Sequence, residues 1–194
     1  MSNDKLRHAF KEWAVICQAL AEGRQALILR KGGISEAPDG FHVEHQRFWL
    51  YPTYVHEKRD GLKEEGIALL ERVELLKPPA GTVRLSHFAE VEGVYHVHDL
   101  MAALKLESLH YWSPATVESR FAYRHPGLMV LAVRVYESAH AVDVHETPAY
   151  HGCKSWVELD KALTTEGAKP VLDDAAFKKL MRTLDIILQP TAHA

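Results

Sequence analysis

Residues 41–57 read FHVEHQRFWLYPTYVHE. From Phe41 to Tyr51 the residue types favour a strand. One side carries Phe41, Val43, His45, Arg47, Trp49 and Tyr51; the other carries His42, Glu44, Gln46, Phe48 and Leu50. The first half is amphipathic and the second half is apolar on both sides. That pattern predicts a strand running from an exposed rim into the middle of a sheet. Pro52 cannot donate to a ladder, so the strand is expected to stop or bulge there, with Thr53–Glu57 beyond the break.

The flanking sequence supplies helices and further strands. On the N-terminal side, Leu6, Phe10, Trp13, Cys17 and Leu20 recur at helical spacing after a capping Asn3 or Asp4, with Gly23 as the stop. Glu12 is expected on the solvated side of that helix, and Cys17 in its core stripe. Gln25–Arg30 reads as a short strand ending in Lys31-Gly32-Gly33, a turn with accessible backbone N–H groups. Ser35–Gly40 reads as a surface loop.

On the C-terminal side, Leu62–Leu76 has helical periodicity, ended by Pro78-Pro79. Pro78–Gly81 is the best candidate for an internal boundary. Thr82–Val91 reads as a strand, Gly93 as a break, and Val94–Val97 as a returning strand. Asp99–Leu106 predicts a short helix. Ser113-Pro114 is an N-cap followed by proline at the first helical position, so a helix is expected over Pro114–Ala122. Leu128–Tyr136 is the longest apolar strand, and Val142–Val144 a shorter one. Ser155 and Glu158 match the capping box S-x-x-E, which predicts a helix from Trp156. A last helix is expected from Asp173 or Asp174, and residues 190–194 are expected to form a disordered tail. The predicted class is α+β: a mixed sheet with flanking helices, as one compact domain or two interlocked halves.

Composition narrows the function. The chain has 194 residues, average apolar content and a formal net charge of −3, so there is no general attraction to nucleic acid or anionic membrane. Cys17 and Cys153 are far apart without CxxC spacing, which excludes a disulfide framework and points to a reducing compartment. The N-terminus lacks the apolar core of a signal peptide and no window reaches membrane-span length, so a cytoplasmic protein is expected. The 13 histidines are scattered.

Glu44, His45, His56 and Glu57 bring carboxylates and imidazoles together in the opening stretch. They are the candidates for general acid–base work, with Glu44, His45 and His56 as ligands of a divalent metal. His45 and His56 are 11 residues apart, ~35 Å if the chain stayed extended. They meet only if Pro52-Thr53 turns the chain back. His96 and His98 share one face of a strand but need a third ligand. Arg30, Lys31, Arg120, Arg134 and Lys154 are the candidates for holding phosphate oxygens. Arg134 is the only charge in its apolar run and needs a partner, a carboxylate such as Glu118 or an anionic ligand.

Several segments together resemble the bacterial family called domain of unknown function 1802: AFKEWAVICQAL, LILRKGGI, EHQRFWLYPTYVHE, Ser119–Phe121, LAVRVY and CKSWVEL. The resemblance spans about Ala9 to Leu159. It implies a bacterial protein built as one unit and supplies no catalytic residues.

Three functions compete. The first is a metal-dependent hydrolase of phosphoesters, nucleic acid among them. The second is a non-catalytic nucleotide or nucleic-acid binding module, in which Arg47, Trp49, Tyr51, Tyr54, Trp112 and Tyr123 stack on bases and pair with phosphate. The third is a structural or interaction protein whose polar residues are ordinary pairs. HExxH, GxSxG and P-loop motifs are absent. Convergence of Glu44, His45 and His56 favours the enzyme; a basic groove with accessible aromatic rings favours binding.

Overall fold

The computed structural model describes residues 4–31, 42–54 and 58–188. Its centre is a mixed sheet of seven strands: β1 (Lys5–Trp13), β2 (Leu27–Arg30), β3 (Arg47–Thr53), β4 (Thr82–Val97), β5 (Leu128–His145), β6 (Trp156–Thr164) and β7 (Lys169–Pro170). Five α-helices accompany it: α1 (Ala14–Ala21), α2 (Glu64–Leu75), α3 (Leu100–Leu104), α4 (Pro114–Ala122) and α5 (Asp174–Leu188). The strand order is β2-β5-β4-β3-β1-β6, with β7 on β5. β1 and β3 run parallel; every other pairing is antiparallel. This is the α+β mixed sheet expected, in one compact domain.

The sheet is buried on both faces. One core takes Phe10, Phe48, Leu50 and Val130 with residues of all five helices, among them Ile16, Leu69, Ala103, Val117 and Leu184. The opposite core is Leu6, Ala9, Trp49, Tyr51, Val83, Leu85, Phe88, Tyr150, Val157 and Leu159, with no α-helix contributing. Alternation along β3 therefore divides as expected: Phe48 and Leu50 on one side, Trp49 and Tyr51 on the other.

Several elements differ from expectation. The first nine helical residues are instead β1. Leu6 and Phe10, four apart and so on one helical face, bury in opposite cores. β1 lies between β3 and β6, and this nonlocal pairing overrides the helical spacing. Glu12 accordingly is buried, 3% exposed, rather than solvated. β3 starts at Arg47 and runs through Pro52, opposite Glu12 of β1. The β4 ladder covers only Arg47–Trp49, so Pro52 sits where β3 has one neighbouring strand and the missing N–H is tolerated.

Gly93 does not break β4. It lies at a bulge between Val91 and Gly93, and one 16-residue strand results. A Cβ on Gly93 would meet the Tyr95 ring at 3.0 Å, so a larger residue there requires that ring to shift. The two strands expected within 128–144 are likewise one, β5. At Ser155 the capping-box helix is replaced by β6, whose Val157 and Leu159 alternate into the core. Ser155 is already committed: its hydroxyl accepts from the Arg30 guanidinium and its carbonyl from the Lys11 N–H.

Three other capping signals are made. Ser113 Oγ accepts from the Thr116 N–H and Asp99 from the Met101 N–H. Asp173 Oδ1 accepts from the Ala176 N–H at the start of α5. Among the described residues no helix is long and apolar enough to cross a membrane.

Candidate ligand-binding groove

A groove of about 750 Å³ opens where β1, β3 and β4 meet the loop before β6. β1 ends in Lys11-Glu12-Trp13, and its parallel partner β3 brings Tyr51, Pro52 and Thr53 alongside. The turn 78–81 forms the rim. It is closed by a hydrogen bond from the Thr82 N–H to the Pro79 carbonyl, with Gly81 at φ +76°. The Gly81 carbonyl accepts from the Glu146 N–H, which places Glu146 in the wall. The loop 151–155 is tied across β1: the Lys11 Nζ donates to the Gly152 carbonyl, 3.2 Å, and Lys154 Nζ to the Ala149 carbonyl.

Among the described residues, the lining carries Lys11, Arg30, Lys77, Arg120 and Lys154 against two carboxylates, Glu12 and Glu146. Aromatic rings line it too: Trp13, Tyr51 and Tyr54. The charges are not all balanced. Arg30 lies 3.5 Å from the buried Glu12 and its guanidinium sits over the Phe10 ring. The Tyr51 hydroxyl donates to Glu146 Oε1 at 2.8 Å; burial first, and then that bond, push the phenol up, so it stays protonated. Burial lowers Lys11, with the charge of Lys154 adding to it.

Arg120 is the cation of this wall whose desolvation shifts it most. Its guanidinium stacks on Trp112 at 3.7 Å and donates to the Leu29 carbonyl at 3.2 Å. Among the described residues no carboxylate ion-pairs with it; Glu12 acts only at longer range. Desolvation, with the neighbouring Arg30 charge, pulls its pKa down to about 10. A desolvated cation with no direct ion pair among the described residues, facing a groove, is a site prepared for an anion.

The residues expected from sequence fall in different places. Arg30, Arg120 and Lys154 meet in the groove. Lys31 does not: its Nζ donates to the carbonyls of Phe121, His125 and Gly127 and so closes the end of α4. Arg134 also lies elsewhere, paired with Asp174 at the start of α5 rather than with Glu118. Glu44 is exposed. His45 stacks on His8, ring centroids 3.5 Å apart, and meets the Trp156 edge. Burial, then the His8 charge, lower its pKa. His56 and Glu57 lie outside the described residues. Among the described residues no three His, Cys, Asp or Glu side chains converge to hold a metal ion.

Trp49 and Trp112 are fully buried and offer no stacking face to a ligand, and Arg47 pairs with Glu90 at 2.8 Å. His96 and His98 are both exposed. Sequence reasoning missed Lys11, Glu12, Trp13 and Glu146 as site residues. The run Lys-Glu-Trp carried the only signal, and it was absorbed into the expected helix.

The chain belongs to the family described as domain of unknown function (DUF1802), whose model matches residues 9–183. No curated protein matches it in sequence. Among solved structures it is similar to the ASCH protein of Zymomonas mobilis, at 13% identity and a TM-score of 0.40 over 90% of this chain and 93% of that one. Two point variants of that protein give 12% and 10% identity, both with TM-score 0.46. They cover 93% and 90% of this chain, and 97% and 96% of theirs.

Proposed function

We propose that this DUF1802 protein is a non-catalytic nucleotide or nucleic-acid binding module, with the β1–β3 groove as its site. The observation that carries this reading is Arg120: a desolvated guanidinium without an ion-pair partner among the described residues, beside a wall of lysines and aromatic rings. Phosphate supplies the missing negative charge, and guanidinium holds it with directed hydrogen bonds. Trp13 lines the groove beside Arg120, and a base reaching Tyr54 shares that ring with the Lys77 ammonium, 4.8 Å from its centroid. Lys11 and Lys154 lie on the path of the phosphate backbone. The groove volume suits a nucleotide unit, free or within a strand. The chain's net charge of −3 confines the attraction to this groove.

The metal-dependent phosphoester hydrolase is the weaker reading. Of its ligands Glu44, His45 and His56, the first two do not line the groove and the third lies outside the described residues, and among the described residues no three His, Cys, Asp or Glu side chains converge beside Arg30, Arg120 and Lys154.

The test is fluorescence anisotropy with labelled single-stranded RNA and DNA, and calorimetry with mononucleotides, at two salt concentrations. Binding is expected to weaken with salt. Lys11→Glu with Lys154→Glu should lower affinity on the order of a hundredfold and reduce the salt slope by about 1 per lost phosphate contact. Absence of binding to every ligand, or an unchanged double variant, defeats the proposal. Metal-dependent cleavage lost in Glu44→Ala restores the hydrolase.

A further inference from the structure

A second cavity of about 220 Å³ shares a wall with the groove: Pro52, Tyr54 and Pro78 line both. Its chemistry is different. The small side chains of Ala14 and Ala21 in α1 make room for it, with Cys17 and Val73 beside them. Its cation, Arg84, is neutralised by a two-pronged ion pair with Asp143 at 2.7 and 2.8 Å. His87 Nδ1 is held by Ser86 Oγ at 2.9 Å, and burial keeps the imidazole neutral by lowering its pKa. The bulge between Leu85 and His87 turns this pair toward the cavity. Among the described residues no unpaired positive charge lines this cavity. What is offered is a small slot of mixed polarity, with Gln18, Ser86 and the neutral His87 ring facing the apolar Ala14, Ala21 and Val73, able to exchange hydrogen bonds with a base edge.

Resting on the groove reading above, we infer that this annex is a base subsite and that the ligand is a single strand of at least two nucleotides. Its phosphates lie along Arg120 and the lysines, and a base passes the Tyr54 ring into the annex. The slot is too small for a whole nucleotide and the adjoining groove suits one, so the two together suit consecutive units of a chain. A paired, stacked base in a duplex cannot enter such a slot; a splayed single-stranded base can.

The experiment compares a mononucleotide, a tetranucleotide and a duplex of the same sequence by calorimetry, with the wild type, Ala21→Trp and His87→Ala. Ala21 is only partly buried at the end of α1, so a larger side chain there fills the annex with little cost to the core. The tetranucleotide is expected to bind on the order of tenfold tighter than the mononucleotide, and the duplex weakly. Ala21→Trp removes that tenfold advantage and leaves mononucleotide affinity unchanged; His87→Ala removes part of it. Melting curves confirm that both variants fold. Equal affinity for mononucleotide and tetranucleotide, or full advantage retained in both variants, overturns the annex and leaves the groove standing. No binding by any of the three ligands overturns the groove and the annex together.

Discussion

Arg120 and Arg134 look alike in sequence and hold opposite positions in the molecule. Each is a guanidinium among aromatic rings: Arg120 on Trp112 and Trp13, Arg134 over Tyr136 and Phe177. Arg134 pairs with Asp174, the first residue of α5, and that bond raises its pKa. The pair fastens the last helix to the sheet and favours an acidic residue at a helix N-terminus. Among the described residues Arg120 donates to a backbone carbonyl and to no carboxylate, and desolvation lowers its pKa. A charge that folding has already satisfied is part of the scaffold. A charge that folding desolvates and leaves without a partner keeps its affinity for something outside the chain.

The largest expected effect tests how far the region around Arg120 resists more positive charge. His110 is 2% exposed, and its pKa falls to about 4 through burial, then the charges of Lys63 and Arg120. The native state therefore holds His110 neutral while the unfolded chain protonates it near pH 6.5. Its contribution is complete above that pH, declines as pH falls, and is exhausted near pH 4. The loss amounts to about 3 kcal/mol. Urea unfolding from pH 7 to 4 should show this decline, and His110→Phe should remove most of it. An identical pH profile in the variant would show that the Arg120 side is not short of negative charge.

A middle-sized effect separates stability from binding. Arg120→Met removes the desolvated charge and keeps an apolar stem against Trp112. It relinquishes the bond to the Leu29 carbonyl, about 1 kcal/mol, and recovers a larger desolvation cost. Stability should rise by about 1 kcal/mol, while affinity for a single-stranded oligonucleotide falls on the order of tenfold. Arg134→Met should do the reverse: lower the melting temperature and leave binding unchanged. If both variants lose stability alike, the contrast between the two arginines fails.

The legibility of the sequence follows the range of the forces involved. Ser113, Asp99 and Asp173 announce helix starts because a cap is a local bond, and all three make it. The run from Leu128 is legible because a strand covered on both faces is apolar throughout. β1 and β6 are not. In each a local signal, the Leu6–Phe10 spacing or the Ser155–Glu158 box, agrees with a helix by coincidence, and only strand pairing across the chain decides otherwise. The groove inherits that limit. Arg30, Arg120 and Lys154 stand out as cations with no obvious local partner. Lys11, Glu12 and Trp13 reach the site only because β1 lies parallel to β3, a neighbour about 40 residues away in sequence. His8, next to Ala9 at the start of that pairing, stacks on His45 just before β3, a contact that sequence spacing does not announce.

The smallest expected effect turns Arg134 into a copy of Arg120. Asp174→Asn takes away the paired carboxylate and leaves the guanidinium with its aromatic neighbours. Asp174 is exposed, so solvent screens most of the interaction, and the melting temperature should fall by no more than about 4 °C. The pH dependence carries the sign. The bond to Arg134 lowers the Asp174 pKa, so its contribution is present above the ordinary carboxylate range and disappears as pH falls through the depressed value. The difference between wild type and Asp174→Asn should therefore be constant near neutrality and shrink in acid. Oligonucleotide affinity should not change, because an arginine freed here still faces α5 and not the groove. Should the variant gain affinity for phosphate, an unpaired guanidinium anywhere on this sheet is enough to bind it, and Arg120 owes its role to the missing partner alone rather than to the groove around it.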